Sequence, residues 1–317
     1  MELFPPIPLQ EWSPTKQTLH RWLQIVGKIR LAASPRRNHW WNVPFHLTGT
    51  GLTTRPMGLN DGNPVFTIDV DLLHHQLVVS TLASGQVTVP LPGHSVASFH
   101  RELTAALDHL GVGVPVPHPY PFDLPDADRP FAADTEHAAY DAGWAQRYWQ
   151  VLSQVNLLLE EFAAGYWGKS SPVHHFWHTF DIAMTRFSDA VVTQPREAGS
   201  VIREAYSRQV ISFGFWFGDE GGTVAEPAFY AYTAPEPLGL TEQPLPTGAE
   251  WIASGHGHLA LLRYERARKE PDPRSHVLDF YEAAYRAGAD LLGWDRDTLA
   301  CPHGATDPYW TELRGRT

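Results

Sequence analysis

The sequence predicts an α+β protein made of two pseudo-symmetric repeats, each a helix, an antiparallel sheet and a second helix. Three observations lead there. Stretches with apolar residues three and four apart flank stretches that alternate, the two signatures of amphipathic helices and half-buried strands. The same order of elements recurs after a proline-rich stretch. The segments HWWNVPFHLTGTGLTT and HHFWHTFDIAMTRFS also align without a gap, pairing His39 with His174, Trp41 with Phe176, Phe45 with Phe180 and His46 with Asp181. The organisation read from this is a first repeat with an N-terminal arm over 1–111, a linker over 112–133 and a second repeat with a C-terminal tail over 134–317.

The arm carries Pro5, Pro6, Pro8 and Pro14 and reads as extended. From Thr15, Leu19, Trp22, Leu23, Val26, Ile29 and Leu31 form a helical apolar face that ends at Ser34 and Pro35. NHWWNVPFHLTGTGLTT is aromatic, β-branched and broken by Gly49 and Gly51, and reads as a strand. After turn residues Asp61, Gly62, Asn63 and Pro64, VFTIDVDLLHHQLVVST reads as a hairpin and GQVTVPLP as a further strand. Ser95 is placed as the N-cap of a helix that aligns Phe99, Leu103, Ala106, Leu107 and Leu110 up to Gly111. Pro115, Pro117, Pro119, Pro121, Pro125 and Pro130 then exclude regular ladders. The second half offers a helix from Trp144 to about Tyr166, a strand from about His178, strands in REAYSRQVISFGFWFGD and EPAFYAYTAPEP, and a helix from Ser275 to about Leu292.

Composition narrows the function classes. The 317 residues include 43% hydrophobic and only 19% charged residues, which argues for a packed core rather than disorder. Lys and Arg total 24 against 35 Asp and Glu, a net charge of −11 without a basic stripe, so nucleic acid is not an expected partner. No apolar run reaches the roughly 18 residues of a membrane helix. With one cysteine, Cys301, and a start, MELFPPIPLQEW, that lacks a signal-peptide pattern, the chain is expected to be cytoplasmic.

The strings QIVGKIRL, NHWW, GLTT, DTEH, SPVHHFW, FDIAMTRFS, REAYS, VISFGFW and PAFYAYTAPEP occur in that order. With them the chain resembles, from Trp12 to about Asp295, a bacterial family catalogued as domain of unknown function 5996. The resemblance implies no reaction. It implies Phe and Gly at the positions of His175 and His178, which marks those two histidines as local to this chain.

Four segments carry candidate chemistry. In SPVHHFWHTFD, a helix capped by Ser171 would put His174, His178 and Asp181 on one face as a metal-binding triad, whereas a strand would turn His174 and His178 to one face and His175 and Asp181 to the other. The strand is the favoured reading, and no metal or other cofactor is expected. In DTEHAAYD, Asp134, Glu136, His137, Tyr140 and Asp141 offer acid–base groups or a capping arrangement. REAYSRQVIS supplies Arg203, Glu204, Tyr206 and Ser207, and Arg186 or Arg203 suits a substrate carboxylate. GHGH from Gly255 to His258 and CPH from Cys301 to His303 have too few partners for zinc. No G-x-S-x-G elbow, phosphate loop or dinucleotide fingerprint occurs.

The functional expectation is an enzyme acting on a small polar or anionic molecule by general acid–base chemistry in a cleft between the repeats. His39, His174, Asp181, Glu204 and Tyr206 are the expected catalytic residues, with His174 as base and Asp181 orienting an imidazole. Arg186, Trp41, Arg203, His137 and Glu136 are the expected substrate contacts. A non-catalytic binding module, and a metal-dependent hydrolase or oxygenase using His174, His178 and Asp181, are the alternatives.

Overall fold

The computed structural model describes residues 2–58, 62–83, 85–222, 224–255, 257–307 and 309. Asp61 of the first turn signal and His256 of GHGH lie outside them. The chain forms two compact units, each assembled from separate stretches: one from Pro5–Ser153 and His174–Asp181, the other from Met1–Phe4, Gln154–Val173 and Ile182–Thr317. The described residues hold seven α-helices and two antiparallel sheets, a mixed α and β architecture.

In the first unit, α1 (Leu9–Ala33) precedes β1 (His46–Leu47), β2 (Gly51–Thr53), β3 (Phe66–Asp71), β4 (Gln76–Thr81), β5 (Gln86–Pro90) and α2 (Val96–His109). The unit also takes the start of α3 (Ala142–Ala164) and β6 (His174–Phe176). The strands β1 to β5 pair in chain order. The segment read as one strand is therefore a hairpin: β1 and β2 pair His46 with Thr53 and Leu47 with Leu52. Its turn closes because Thr48 Oγ1 accepts the Gly51 N–H at 3.0 Å, and a Cβ on Gly51 would lie 1.9 Å from the Val70 carbonyl. The hairpin of β3 and β4, the strand β5 and the helix capped by Ser95 stand as the pattern reads, with Ser95 accepting the Ser98 N–H.

Helix α1 is longer than its periodicity indicates. It starts at Leu9 and runs through Pro14. Proline removes the bond to the Gln10 carbonyl, but Gln10 and Pro14 are both exposed, so water replaces it. Polar Thr18 and Gln24 are as fully buried as Leu19 and Leu23, whereas Leu31 is 40% exposed. A helix covered on most sides does not keep a simple apolar stripe.

The proline-rich stretch lies inside the first unit rather than between units. Gln24 Oε1 accepts the Phe122 N–H at 2.6 Å, Arg21 binds Asp126 at 2.5 Å, and Phe131 is buried with its N–H on the Pro119 carbonyl. Prolines exclude ladders, yet stiff extended backbone docks at low entropic cost.

The second unit contains the rest of α3, β7 (Asp181–Val191), α4 (Ser200–Ala205), β8 (Arg208–Trp216) and β9 (Ala228–Ala234). There follow β10 (Ala249–Ser254), β11 (Gly257–Arg263), α5 (Tyr264–Ala267), α6 (Pro273–Leu291) and α7 (Arg296–Leu299). Its strands run β7-β8-β9-β11-β10 across the sheet, and α6 packs on β8 and β9. Buried rings of Phe162, Phe213, Phe215, Phe229, Tyr264 and Tyr281 fill the core.

The first half holds five strands and the second six, and β1 to β5 form a meander whereas β10 and β11 exchange places in the second sheet. The ungapped alignment makes His46 and Asp181 each the first residue of a strand, β1 and β7. It stops there, because residues 46–53 fold back on themselves while 181–191 is one continuous strand, and Phe180 belongs to the same unit as Phe45. None of the described helices is long and apolar enough to cross a membrane.

Candidate functional site

The site is built by a single two-bond bridge. The N–H and carbonyl of Phe45 exchange hydrogen bonds of 2.8 and 2.9 Å with the carbonyl and N–H of His175. In an antiparallel pair the next positions along, His46 and His174, then face each other as a non-hydrogen-bonded pair, whose side chains approach more closely. Their rings meet edge to face with centroids 6.0 Å apart. His46 is 8% and His174 1% exposed.

Three arginines act on this pair. Arg30 lies near the end of α1 and is 5% exposed, while Arg37, beyond the helix, and Arg55, just after β2, are exposed. Burial, and then Arg55, Arg30 and Arg37, push the His46 imidazole down to about 3. Burial, then His46, Arg30 and Arg55, hold His174 well below its ordinary value. Arg30 itself is lowered to about 10 by burial and by Arg55 and Arg37. Both imidazoles are therefore neutral at pH 7. Arg30 Nε and His174 Nδ1 are buried without a hydrogen-bond partner among the described residues, where native proteins satisfy most buried polar groups. His39, Trp40 and Arg55 adopt left-handed φ angles of 54°, 61° and 60°, a strain that clusters at functional sites. His39 is buried against Trp41, ring centroids 5.5 Å apart, and Arg36 stacks 3.7 Å over Trp40.

The other face of β6 is separate, as strand alternation requires. The His175 Nε2 lies 2.7 Å from the Tyr148 hydroxyl, and both side chains are fully buried. Asp181 takes a hydrogen bond from Thr179 Oγ1, and its charge, after burial, raises the Tyr148 phenol. Asp181 is thus on the side of Tyr148, and the largest electrostatic influences on His174 are His46, Arg30 and Arg55. Asp181 is not among them. The helix that the metal-triad alternative requires is not formed: 174–176 is a strand followed by a turn, and the His178 ring packs edge to face on Phe122 at 5.7 Å.

Asp126, Asp134 and His137 bring their donor atoms within 4.8 Å of one another. Cations already balance them: Arg21 lies 2.5 Å from Asp126 and 3.7 Å from Asp134, and Arg129 lies 3.6 Å from Asp134 and 2.7 Å from Glu136. Asp134 Oδ1 accepts the N–H groups of Glu136 and His137, its Oδ2 lies 2.8 Å from His137 Nδ1, and the carbonyls of Asp134 and His137 accept the Ala97 and Val96 N–H groups. The cluster closes the N-terminus of α2, which accounts for Glu136 and His137 without a substrate.

In the second unit the Arg186 guanidinium is caged by aromatic rings, 3.9 Å from the Phe162 centroid, 4.3 Å from Tyr285 and 4.9 Å from Tyr166, and donates to the Phe162 carbonyl at 2.7 Å. At 2% exposure it has no fork to offer a substrate carboxylate. Arg203 on α4 is exposed and donates to the carbonyls of Arg196 and Ala198. Glu204 is half-buried on the same short helix, and the Tyr206 hydroxyl lies 3.2 Å from that of Tyr232.

The arginines that act on His46 are not among the residues that sequence reasoning singles out at this pair. The overall charge of −11 hides a stretch, 12–60, with seven Lys or Arg residues and no Asp or Glu. A charge count by segment finds it.

No curated protein and no solved structure matches the chain. A family model does match, over residues 4–301, and by it the chain belongs to the family of unknown function DUF5996.

Proposed function

We propose that the protein is a cytoplasmic enzyme that binds a small anionic molecule beside His46 and His174 and acts on it by general acid–base chemistry. The observation that carries this reading is the convergence of Arg30, Arg37 and Arg55 on two neutral imidazoles with no described carboxylate among the charges that act on them. An anion would supply the missing countercharge. It would also raise both imidazole pKa values toward neutrality, where a general base works best. His174 is the base on this reading because its Nδ1 is buried without a hydrogen-bond partner among the described residues. Trp41 and His39 flank the same loop, and the small-molecule ligand is the only partner required. The two halves are read as copies of one helix–sheet–helix unit, supported by their common element order and by the coincidence of His46 with Asp181 at strand starts.

A binding module is the second reading. It is favoured by the lack of a described acid beside His174, since a catalytic imidazole is usually oriented by one. A thermal-shift screen of small carboxylates, sulfate and phosphates, followed by turnover assays on whatever binds, tests both readings. Binding with turnover lost in His174→Gln supports the enzyme, binding without turnover supports the module, and no stabilisation by any anion removes both.

A further inference from the structure

We propose that a cleft between α1, α2 and the proline-rich stretch binds an apolar monocarboxylate, with its acid group on Lys28 and its apolar body along the facing side of α2. This goes beyond the His46 and His174 reading: every residue that lines the cleft lies within Pro5–Ser153, and neither histidine is one of them.

The cleft encloses about 430 Å³, within the range of small-molecule sites. Both helices turn one face to it. On α1 the lining residues are Ile25, Lys28 and Ile29, three and four apart. On α2 they are His100, Leu103, Thr104, Leu107 and Asp108, the i, i+3, i+4, i+7 and i+8 positions of a single stripe. Ile29, Leu103 and Leu107 are buried at its floor, whereas Thr104 and Asp108 are exposed at its mouth.

The third wall is fixed by the chain that leaves α2. The Val112 N–H returns to the Leu107 carbonyl at 2.9 Å, and the Asn63 side chain binds both the N–H and the carbonyl of Gly113, at 2.7 and 3.0 Å. Further on, the Pro119 carbonyl accepts the N–H of the buried Phe131 at 3.0 Å. Val114, Pro115, Val116 and Pro119 line the cleft between these ties. Pro115 and Pro119 have no N–H, so this wall presents apolar surface on stiff backbone, and a ligand enters without having to order it first.

Charge selects the ligand class. The titratable side chains on the cleft are Lys28, His100 and Asp108. Lys28 is half-buried, and among the described residues no charged partner acts on it: burial is the influence on its ammonium, in the lowering sense. Asp108 is exposed in the last turn of α2, where water satisfies it. A carboxylate seated on Lys28 supplies the countercharge that the fold does not, while an ammonium ligand would meet Lys28 as a like charge. Carboxylate and lysine ammonium are the ordinary forms of both groups at pH 7. The His100 ring, packed on Phe131 with centroids 6.5 Å apart and lowered by burial, is a neutral edge of the cleft rather than a second cation.

The test is isothermal titration of the full-length protein with octanoate, octanol, octylammonium and acetate at pH 7. Lys28→Met, His174→Asn and Thr104→Trp, which fills the mouth from an exposed position, are run in parallel. The expected result is octanoate binding at least ~10-fold tighter than the other three probes. Lys28→Met should bring octanoate down to the level of octanol, Thr104→Trp should weaken both, and His174→Asn should leave octanoate binding unchanged. Octanol or octylammonium binding as tightly as octanoate would overturn the pairing with Lys28, and acetate binding as tightly would overturn the apolar cleft. Octanoate bound in full by Lys28→Met or by Thr104→Trp would place it elsewhere and overturn the proposal. Binding lost in His174→Asn but kept in Lys28→Met would assign the acid to the histidine pair, overturning the cleft and leaving the anion reading of that pair standing. No octanoate binding up to about 1 mM would overturn the proposal.

Discussion

His46 and His174 meet ring edge to ring face at 6.0 Å because one backbone bridge, Phe45 to His175, sets their register. Two imidazoles in that position, neutral and surrounded by arginine charge, make stability depend on acid.

Burial lowers His20 and His174 well below 6.5, His46 and His175 to about 3, and His178 to about 4. The charges acting with burial are Lys16, Arg21 and His175 on His20; Arg55, Arg30 and Arg37 on His46; His46, Arg30, Arg55 and His175 on His174; His178 on His175; and Asp123, in the raising sense, on His178. The unfolded chain takes up these protons first, so the stability they contribute is complete above pH 6.5 and falls as pH drops from 6.5 toward 3 to 4. Each histidine contributes a slope of up to about 1.4 kcal/mol per pH unit. Urea midpoints measured from pH 8 to pH 4 should decline steeply below 6.5; a flat profile between pH 7 and pH 5 would contradict the buried neutral assignment.

Arg30 is a buried charge without an acidic partner among the described residues. Arg30→Met should raise stability by roughly 1 kcal/mol, read from a higher urea midpoint, while abolishing anion binding, the trade expected of a residue kept for function. A loss of stability would mean that Arg30 holds the fold.

On the proposed reading, the two faces of β6 separate anion binding from packing. His174→Asn is expected to abolish anion binding with a stability cost of roughly 1 to 2 kcal/mol. His175→Phe should leave binding intact and lower stability by about 1 to 3 kcal/mol, because the buried Tyr148 hydroxyl loses its partner. Titration calorimetry and urea melts on both variants decide it, and equal loss of binding in the two would refute the division.

Gly27→Ala improves helix propensity by about 1 kcal/mol, yet its Cβ would lie 2.2 Å from the Trp177 ring. The clash should dominate, with a net loss of roughly 1 to 3 kcal/mol read from the unfolding midpoint; a neutral result would mean that Trp177 moves aside freely.

Arg21→Ala leaves Asp126 without the guanidinium 2.5 Å from it and Asp134, 2% exposed at its side chain, with Arg129 at 3.6 Å in place of two arginines. A loss of about 3 to 5 kcal/mol is expected, measured by thermal or urea unfolding. A loss below about 1 kcal/mol would show that Arg129 compensates.

How far the fold was legible depended on whether short-range pattern and tertiary environment agreed. The Ser95 cap and the β3 and β4 alternation are local signals, and both stand. Pro14 misled because the helix it interrupts is held by packing around Trp12 and Leu19, which a proline rule does not weigh. The β1 and β2 hairpin was missed because its turn is Thr-Gly-Thr and its strands are two and three residues long, below the length at which alternation is visible. At the site, His174 was found by type, and the strand reading of its segment separated it from Asp181. Its true neighbours were out of reach: nothing local connects His174 to Arg30 or Arg55, and only the bridge across the fold brings them together.

Neither compact unit is a continuous piece of chain, and this has a consequence for biosynthesis. The unit that carries the arginines consists of Pro5–Ser153 and the eight-residue segment His174–Asp181. A ribosome that has released the first 153 residues has delivered every arginine of the site but not His174, nor the backbone that clamps Phe45. The nascent protein therefore cannot pair Phe45 with His175 or set His46 against His174 until the second half is under way, and a stalled or proteolysed N-terminal fragment lacks that contact.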